Sequence, residues 1–285
     1  MKEKMSIPPS KSQEFLSAQN EDRISGGASL LAQAWLDGST IDEFPSDLAP
    51  RDLSEATAIQ NAMAIEIGED IVGWKIGGKP GGLMGRIFKS TSFENGSNLP
   101  LARYKRNIIE CEVGFKLKHD LPPREKAYDR EEVEASADLS LNIELVGSRR
   151  TNVIERTVAA LAAGKPFPET DAEMFMLIAD NGANLGLIEG PVIDDWKNDS
   201  LLDITVDLQI DGGESQPMVP KQNRTEPFDA FLWVVNDLSQ CGIGLKAGHI
   251  ITPGTVNVPL QLPEGSTAVA VFGDLGEIIV SLSRD

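Results

Sequence analysis

Glu110 and Glu112 flank Cys111 in the run NIIECEVGFKLKHDLP, residues 107–122. Within it Val113, Phe115 and Leu117 alternate with Gly114, Lys116 and Lys118, the period of a half-buried strand. On a strand, residues i and i+2 share a face, so the two carboxylates stand side by side and Cys111 points into the core. Two ionised carboxylates so placed repel each other, and burying them unpaired costs several kcal/mol. A hard divalent cation with a preference for oxygen ligands, Mg2+ or Mn2+, removes that penalty. The alternative is a solvated strand face carrying two unrelated glutamates. A third acid, Glu144, follows 32 residues after Glu112 in the apolar run LSLNIELV, where a lone glutamate is costly unless paired or ligated. Three carboxylates leave octahedral positions open for water or a chelating substrate.

Two cations accompany these acids. Lys75 lies in the short strand pattern IVGWKIG, directly before the glycine-rich turn GGKPGG. An amine at a strand end beside glycines suits contact with an acidic substrate, or else the lysine snorkels from an edge strand. The turn is not a phosphate-binding loop, because no Gly-Lys-Ser/Thr follows it. Arg149, after the Glu144 strand, could neutralise one glutamate or hold a substrate. Asp180-Asn181-Gly182 is first a turn signal and only then a functional one. The run GIGLKA at 242–247 matches a dinucleotide fingerprint in letters alone, since it follows a helix and precedes a strand.

The elements that position these residues follow from periodicity and punctuation. Residues 1–26 are polar without a clear period and are expected to form a loosely ordered tail. Amphipathic helices are expected at 28–36 and 53–67, the second with Ser54 as N-cap and Gly68 as its stop, giving a helical portion over 27–70. From 71 to 285 the chain reads as one β-rich catalytic domain, with strands at 71–77, 139–146, 201–210, 250–252, 268–272 and 277–282. Helices are expected at 129–137, 151–163, 171–178 and 227–240. Without regular β-α alternation, the class is α+β around a rolled, largely antiparallel core.

Composition limits the partners. Lys+Arg 26 against Asp+Glu 44 gives a net charge of −18, which argues against nucleic acid or an anionic membrane and leaves any acidic substrate to be captured locally. Two cysteines, Cys111 and Cys241, fit a reducing cytoplasm, and no apolar run approaches a membrane-spanning length.

The pieces GWKIG, IIECEVGFKLKHDLP, IELVGSR, IADNGANLG and LKAGHII with a following Gly254 occur in this order. Together they resemble the 2-keto-4-pentenoate hydratase and 2-oxo-acid decarboxylase branch of the fumarylacetoacetate hydrolase superfamily, over about residues 53–282. The resemblance implies a mixed β-sandwich roll like that superfamily's C-terminal domain, with a small helical N-terminal portion. It implies Mg2+ or Mn2+ on Glu110, Glu112 and Glu144, Lys75 in proton transfer or binding, and Arg149, Asp180, Asn181, His249, Thr252 and Gly254 around the substrate. The implied activity is a hydratase that adds water to a small 2-hydroxy-dienoic or 2-oxo-enoic acid through an enolate stabilised by the metal. Decarboxylation or C–C hydrolysis on the same site, and a non-catalytic metal- or ligand-binding relative, are the alternatives. A homo-oligomer, dimer or larger, is also implied. The chain departs from the pattern at Leu83, where relatives present an aspartate, at Ala183 in place of serine, and at Pro253 in the Gly-His-Ile-Ile-Thr-Pro-Gly run. The metal-binding positions are thus intact while part of the substrate shell is rebuilt.

Overall fold

The computed structural model describes residues 11–77, 83–163, 165, 167–196 and 200–284, with backbone alone for 11–19, 161 and 162. In chain order the elements are α1 (Lys11–Asp37), α2 (Leu53–Ile67), β1 (Ile71–Gly77), β2 (Leu83–Phe88), β3 (Ser92–Glu94), β4 (Asn98–Leu99), α3 (Leu101–Tyr104) and β5 (Ile108–Leu117). They continue with α4 (Arg130–Ala135), β6 (Ala137–Val146), α5 (Val153–Ala162), α6 (Asp171–Ala179), β7 (Asn184–Ile193), β8 (Asp207–Ile210), α7 (Pro227–Gln240), β9 (Ile250–Thr252), β10 (Thr267–Val271) and β11 (Glu277–Leu282).

The result is a mixed α and β architecture on two sheets. Seven strands run in the order β2-β1-β9-β5-β6-β7-β3, and four in the order β4-β11-β10-β8. Most neighbours are antiparallel, but β1 with β9, β3 with β7 and β4 with β11 are parallel. The centre of the larger sheet is the β5–β6 pair, in register from Ile108↔Val146 to Leu117↔Ala137.

Alternation divides the two faces of that pair. Ile109, Cys111, Val113 and Phe115 of β5, with Leu139, Leu141, Ile143 and Leu145 of β6, are buried in the main core. Helix α7 lays Phe228, Phe231, Val234 and Val235 on them, because its apolar residues recur at helical spacing. The smaller sheet adds Ala268, Ala270, Ile278 and Val280 to the same core. Phe115 is its aromatic centre: its ring stacks on Phe231 at 4.5 Å and meets Trp196 edge-on at 5.2 Å. The opposite face of the pair carries Glu110, Glu112 and Glu144.

Helices α1 and α2 build a second core, with Ala28, Leu31 and Trp35 against Ala56, Ile59, Met63 and Phe88. Helix α2 starts under Asp52, whose side chain accepts the Glu55 N–H, and stops where Gly68 takes φ +68°.

Several expectations are corrected. Helix α1 begins at Lys11, so residues 11–26 are not a loose tail; residues 1–10 lie outside the description, as do 78–82 of the glycine-rich turn. Asp52, two residues earlier than expected, caps α2 in place of Ser54. The strand expected over 201–210 is confined to β8, preceded by a short 3-10 turn at Leu201–Asp203. Strands β2 and β7 had no expected counterpart, since glycines interrupt both and Glu189 and Pro191 break the apolar run of β7.

Phe115→Ala is expected to lower unfolding stability by about 3–5 kcal/mol, from lost transfer energy and the cavity left under α7. Denaturant titration measures this, and a loss below about 1 kcal/mol would show that the core does not depend on that ring.

Candidate active site

Strand pairing assembles the acids. Glu110 sits directly across from Glu144 in the β5–β6 register, and Glu112 across from Asn142. One carboxylate oxygen from each of Glu110, Glu112 and Glu144 lies within 4.8 Å of the others. Glu112 and Glu144 are each 1% exposed and Glu110 is half-buried. Lys75 enters from β1 at 3% exposure, its Nζ 3.6 Å from Glu144 Oε1. Asn184, at the start of β7, donates from Nδ2 to the same oxygen at 3.0 Å. The Gly254 N–H donates to Glu112, and residues 254–257 run beside β5 through a Glu112↔Thr255 bridge and the Cys111 N–H donated to Asn257 Oδ1 at 2.6 Å.

Electrostatically the cluster is unbalanced. Three carboxylates and one ammonium leave two negative charges in excess when all are ionised. Burial, with repulsion from Glu144 adding and Lys75 opposing, pushes the Glu110 carboxyl up to about 7. Burial also raises Glu112 well above the ordinary carboxylate range, with Glu144 and Glu110 adding repulsion. Glu144 rises through burial, restrained by Lys75 and Asn184. Glu112 Oε2 is buried without a hydrogen-bond partner. An orphaned carboxylate oxygen, an all-oxygen donor set and an excess of two charges fit a hard divalent cation. Neighbouring oxygens on an octahedral Mg2+ lie about 3 Å apart, so small side-chain movements close the set.

The cluster forms one end of a cavity of about 590 Å³. Its lining joins Lys75, Glu110, Glu112, Gly254 and Thr255 to a larger apolar set that includes Leu83, Val146, Val153, Phe167, Leu177 and Ala183, with Thr157, Asn223, Arg224 and Thr225 also on the wall. Leu83 and Ala183, the two departures noted in the sequence, thus both face this space. Ala183 is held there by a left-handed turn, Asn181 φ +52°, Gly182 φ +62° and Ala183 φ +59°. Gly182 is required, because a Cβ at that position would meet Met84 O at 2.7 Å.

Several expected substrate contacts are placed elsewhere. Arg149 reaches no glutamate of the cluster: it forms a buried ion pair with Asp180 and donates to the carbonyls of Asn184 at 2.7 Å and Asp180 at 2.6 Å. Asp180 also accepts from the Ser148 hydroxyl and the Arg149 N–H, so its charge is spent inside the fold. This pair ties the loop after β6 to the end of α6 and sets Asn184 beside Glu144. The Asn181 side chain bridges the N–H and carbonyl of Arg86, and so fixes the turn without lining the cavity. Thr252 pairs with Lys75 in the β1–β9 register, its hydroxyl buried without a partner, and is not on the cavity wall. His249 lies at the far end of β5, where its carbonyl accepts from Leu117 and its ring faces Lys246. Glu112 is five residues back along that strand from Leu117, about 16 Å, too far for His249 to join the chemistry. Of the substrate residues only Gly254 stands on the wall.

Asn184 and Arg224 escaped the sequence reading. Asn184 meets Glu144 only through β6–β7 pairing across 40 residues, for which no local signal exists. Arg224 lines the cavity but spends its donors on the carbonyls of Val219 and Ile204, each at 2.8 Å, bracing the loop.

No family model matches the chain. A 2-keto-4-pentenoate hydratase of Paraburkholderia phymatum is 24% identical over 286 residues, covering 93% of this chain and 99% of that protein. A 2-oxo-hept-4-ene-1,7-dioate hydratase of Escherichia coli is 26% identical over 198 residues, 68% of each chain. Among solved structures, 4-oxalocrotonate decarboxylase from Pseudomonas putida G7, complexed with magnesium and adipate, superposes with a TM-score of 0.73 at 17% identity, covering 92% of this chain and 98% of that one. These likenesses bear out the resemblance to the hydratase and decarboxylase branch, and the last shows a shared fold. Among the described residues, no helix is long and apolar enough to cross a membrane.

The raised carboxyls give metal-free protein a defined pH response. Below about pH 4.5 native and unfolded chains are both protonated at Glu110, and the native state is not penalised. As pH rises from 4.5 through about 7, the unfolded chain releases this proton first, so stability falls. The melting temperature in EDTA is expected to fall across this window less steeply in Glu110→Gln than in wild type, and millimolar Mg2+ or Mn2+ is expected to remove most of the wild-type slope. Equal slopes in both proteins, with and without metal, would contradict the assignment.

Proposed function

We propose that the chain is a metal-dependent enzyme of the fumarylacetoacetate hydrolase superfamily, with that superfamily's β-sandwich roll, acting as a hydratase on a small 2-hydroxy-dienoic or 2-oxo-enoic acid. The observation that carries this reading is the convergence of three carboxylates and one buried lysine at a cavity whose lining is otherwise mainly apolar. The hydratase names of the relatives supply the reaction class.

Glu110, Glu112 and Glu144 would hold Mg2+ or Mn2+, which when bound supplies Lewis-acid polarisation of a 2-oxo acid. The chain's own residues do the rest. Asn184 and Lys75 both address Glu144 Oε1, which fixes that carboxylate's rotation. The Gly254 N–H does the same for Glu112. Lys75 Nζ stands at the polar end, close enough to Gly77 that a Cβ there would lie 3.4 Å from it, and carries or anchors the proton that moves on the substrate carbons. Val146, Val153, Phe167 and Leu177 exclude water from the remainder, which strengthens each polar contact at the reacting end.

One observation favours decarboxylation as a second reading. Leu83 and Ala183 put apolar groups where the hydratases carry an aspartate and a serine, and so remove polar anchors for an attacking water. Loss of CO2 needs no such water. In either case the enzyme takes a small organic acid, and a homo-oligomer in the cytoplasm is the setting we propose.

The test supplies 2-keto-4-pentenoate and 4-oxalocrotonate to the protein with Mg2+ or Mn2+, following ultraviolet absorbance, with product identification by NMR. Metal-dependent conversion of at least one is expected, falling by about 10²- to 10⁴-fold in Lys75→Met. A hydroxy-oxo acid product supports the hydratase, CO2 the decarboxylase. If neither is consumed and neither binds in the presence of metal, the enzyme reading fails.

A further inference from the structure

Behind the larger sheet lies a second cavity of about 280 Å³. It is lined by Thr57, Gln60 and Asn61 of α2, Trp74 and Arg86 of β1 and β2, and Trp233, Asp237 and Cys241 at α7 and its end. Trp74 and Lys75 are neighbours on β1, so alternation sends their side chains to opposite faces and keeps this cavity apart from the carboxylate cluster.

Arg86 is its unusual member. The side chain is 6% exposed, and among the described residues it makes no ion pair. Its guanidinium donates to two neutral amide oxygens, Gln60 Oε1 at 2.8 Å and Asn61 Oδ1, and rests 4.8 Å from the Trp74 ring centroid. Contrast Arg149, equally buried, which is matched by Asp180. Burial alone pulls the Arg86 pKa down to about 10, with no acid acting against it. Asp237 stands on the same cavity wall without pairing with Arg86, and burial raises its own carboxyl. A buried guanidinium that spends two donors on neutral oxygens and has no ion-pair partner among the described residues is costly unless a counter-ion arrives. Here an open space is provided for one. Gln60 donates from Nε2 to the carbonyls of Met84 at 2.8 Å and Ile178 at 2.7 Å, so the oxygen facing Arg86 is fixed and the guanidinium is held ready.

We propose that this cavity is a second ligand site, taking a small carboxylic acid with an apolar or aromatic body. The carboxylate pairs with Arg86, and the body lies against Trp74, Trp233, Ile178 and Leu238. Bidentate carboxylate recognition is the geometry a guanidinium favours, and indole faces suit a flat ring. The ligand needs no metal, which separates this site from the carboxylate cluster.

Benzoate is the probe. Metal-free protein in EDTA is titrated by calorimetry, with tryptophan fluorescence as a second readout. Wild type is expected to bind one benzoate per chain and to show a change in tryptophan emission. Arg86→Met is expected to weaken binding at least tenfold. Cys241→Trp, which starts from an exposed side chain on the cavity wall and fills the space while leaving Arg86 in place, is expected to do the same. Should Arg86→Met not fold, Cys241→Trp decides alone. Absence of benzoate binding to wild type at millimolar concentration, or binding that survives Cys241→Trp unchanged, overturns the proposal.

Discussion

Among the described residues, three carboxylates, two of them fully buried, stand beside a single ammonium and leave two negative charges in excess when all are ionised. This imbalance is what the remainder of the structure is arranged around. In isolation it is strongly unfavourable, and the carboxyls respond by holding protons at pH values where exposed glutamates have lost them. The strands that create the imbalance are anchored through their opposite faces. The far faces of β5 and β6 carry the main aromatic and aliphatic core, with Phe115 stacked beneath α7. Hydrophobic burial on one face therefore holds the like charges together on the other.

Supporting contacts are organised in the same sense. The Arg149–Asp180 pair does not touch the acids, but it joins the loop after β6 to the end of α6 and places Asn184 against Glu144. Asn257 holds the 254–257 segment beside β5, where the Gly254 N–H meets Glu112. A removed partner in the first of these would leave a buried charge unmatched, which is why the pair is closed on itself instead of being open to a substrate.

Much of this was legible in the sequence. Period-two alternation placed Glu110 and Glu112 on one face and Cys111 on the other, and an acid isolated in an apolar strand marked Glu144. Lys75 stood out as a cation within an apolar strand. What was not legible is set by long-range pairing. Asn184 and Arg149 acquire their roles only when β6, α6 and β7 come together, and Arg149 looked equally suited to a substrate. The resemblance put His249 around the substrate, yet a strand carries residues about 3.3 Å apart, and His249 lies beside Leu117 at the end of β5 away from the acids. Strand β7 was missed because its first half is covered on both faces and has no alternation to read, while Gly190 and Pro191 interrupt the second. Only the structure shows that Arg86 is enclosed, with no ion pair among the described residues.

The central claim is that Glu110, Glu112 and Glu144 act as one cation site. The most direct test is a crystal of the protein grown with Mn2+, with anomalous differences collected to locate the ion. One strong peak within bonding distance of an oxygen from each of the three glutamates, and adjacent to Lys75, is the expected result. A map with no peak there, or with Mn2+ bound only at exposed acids, would contradict the account.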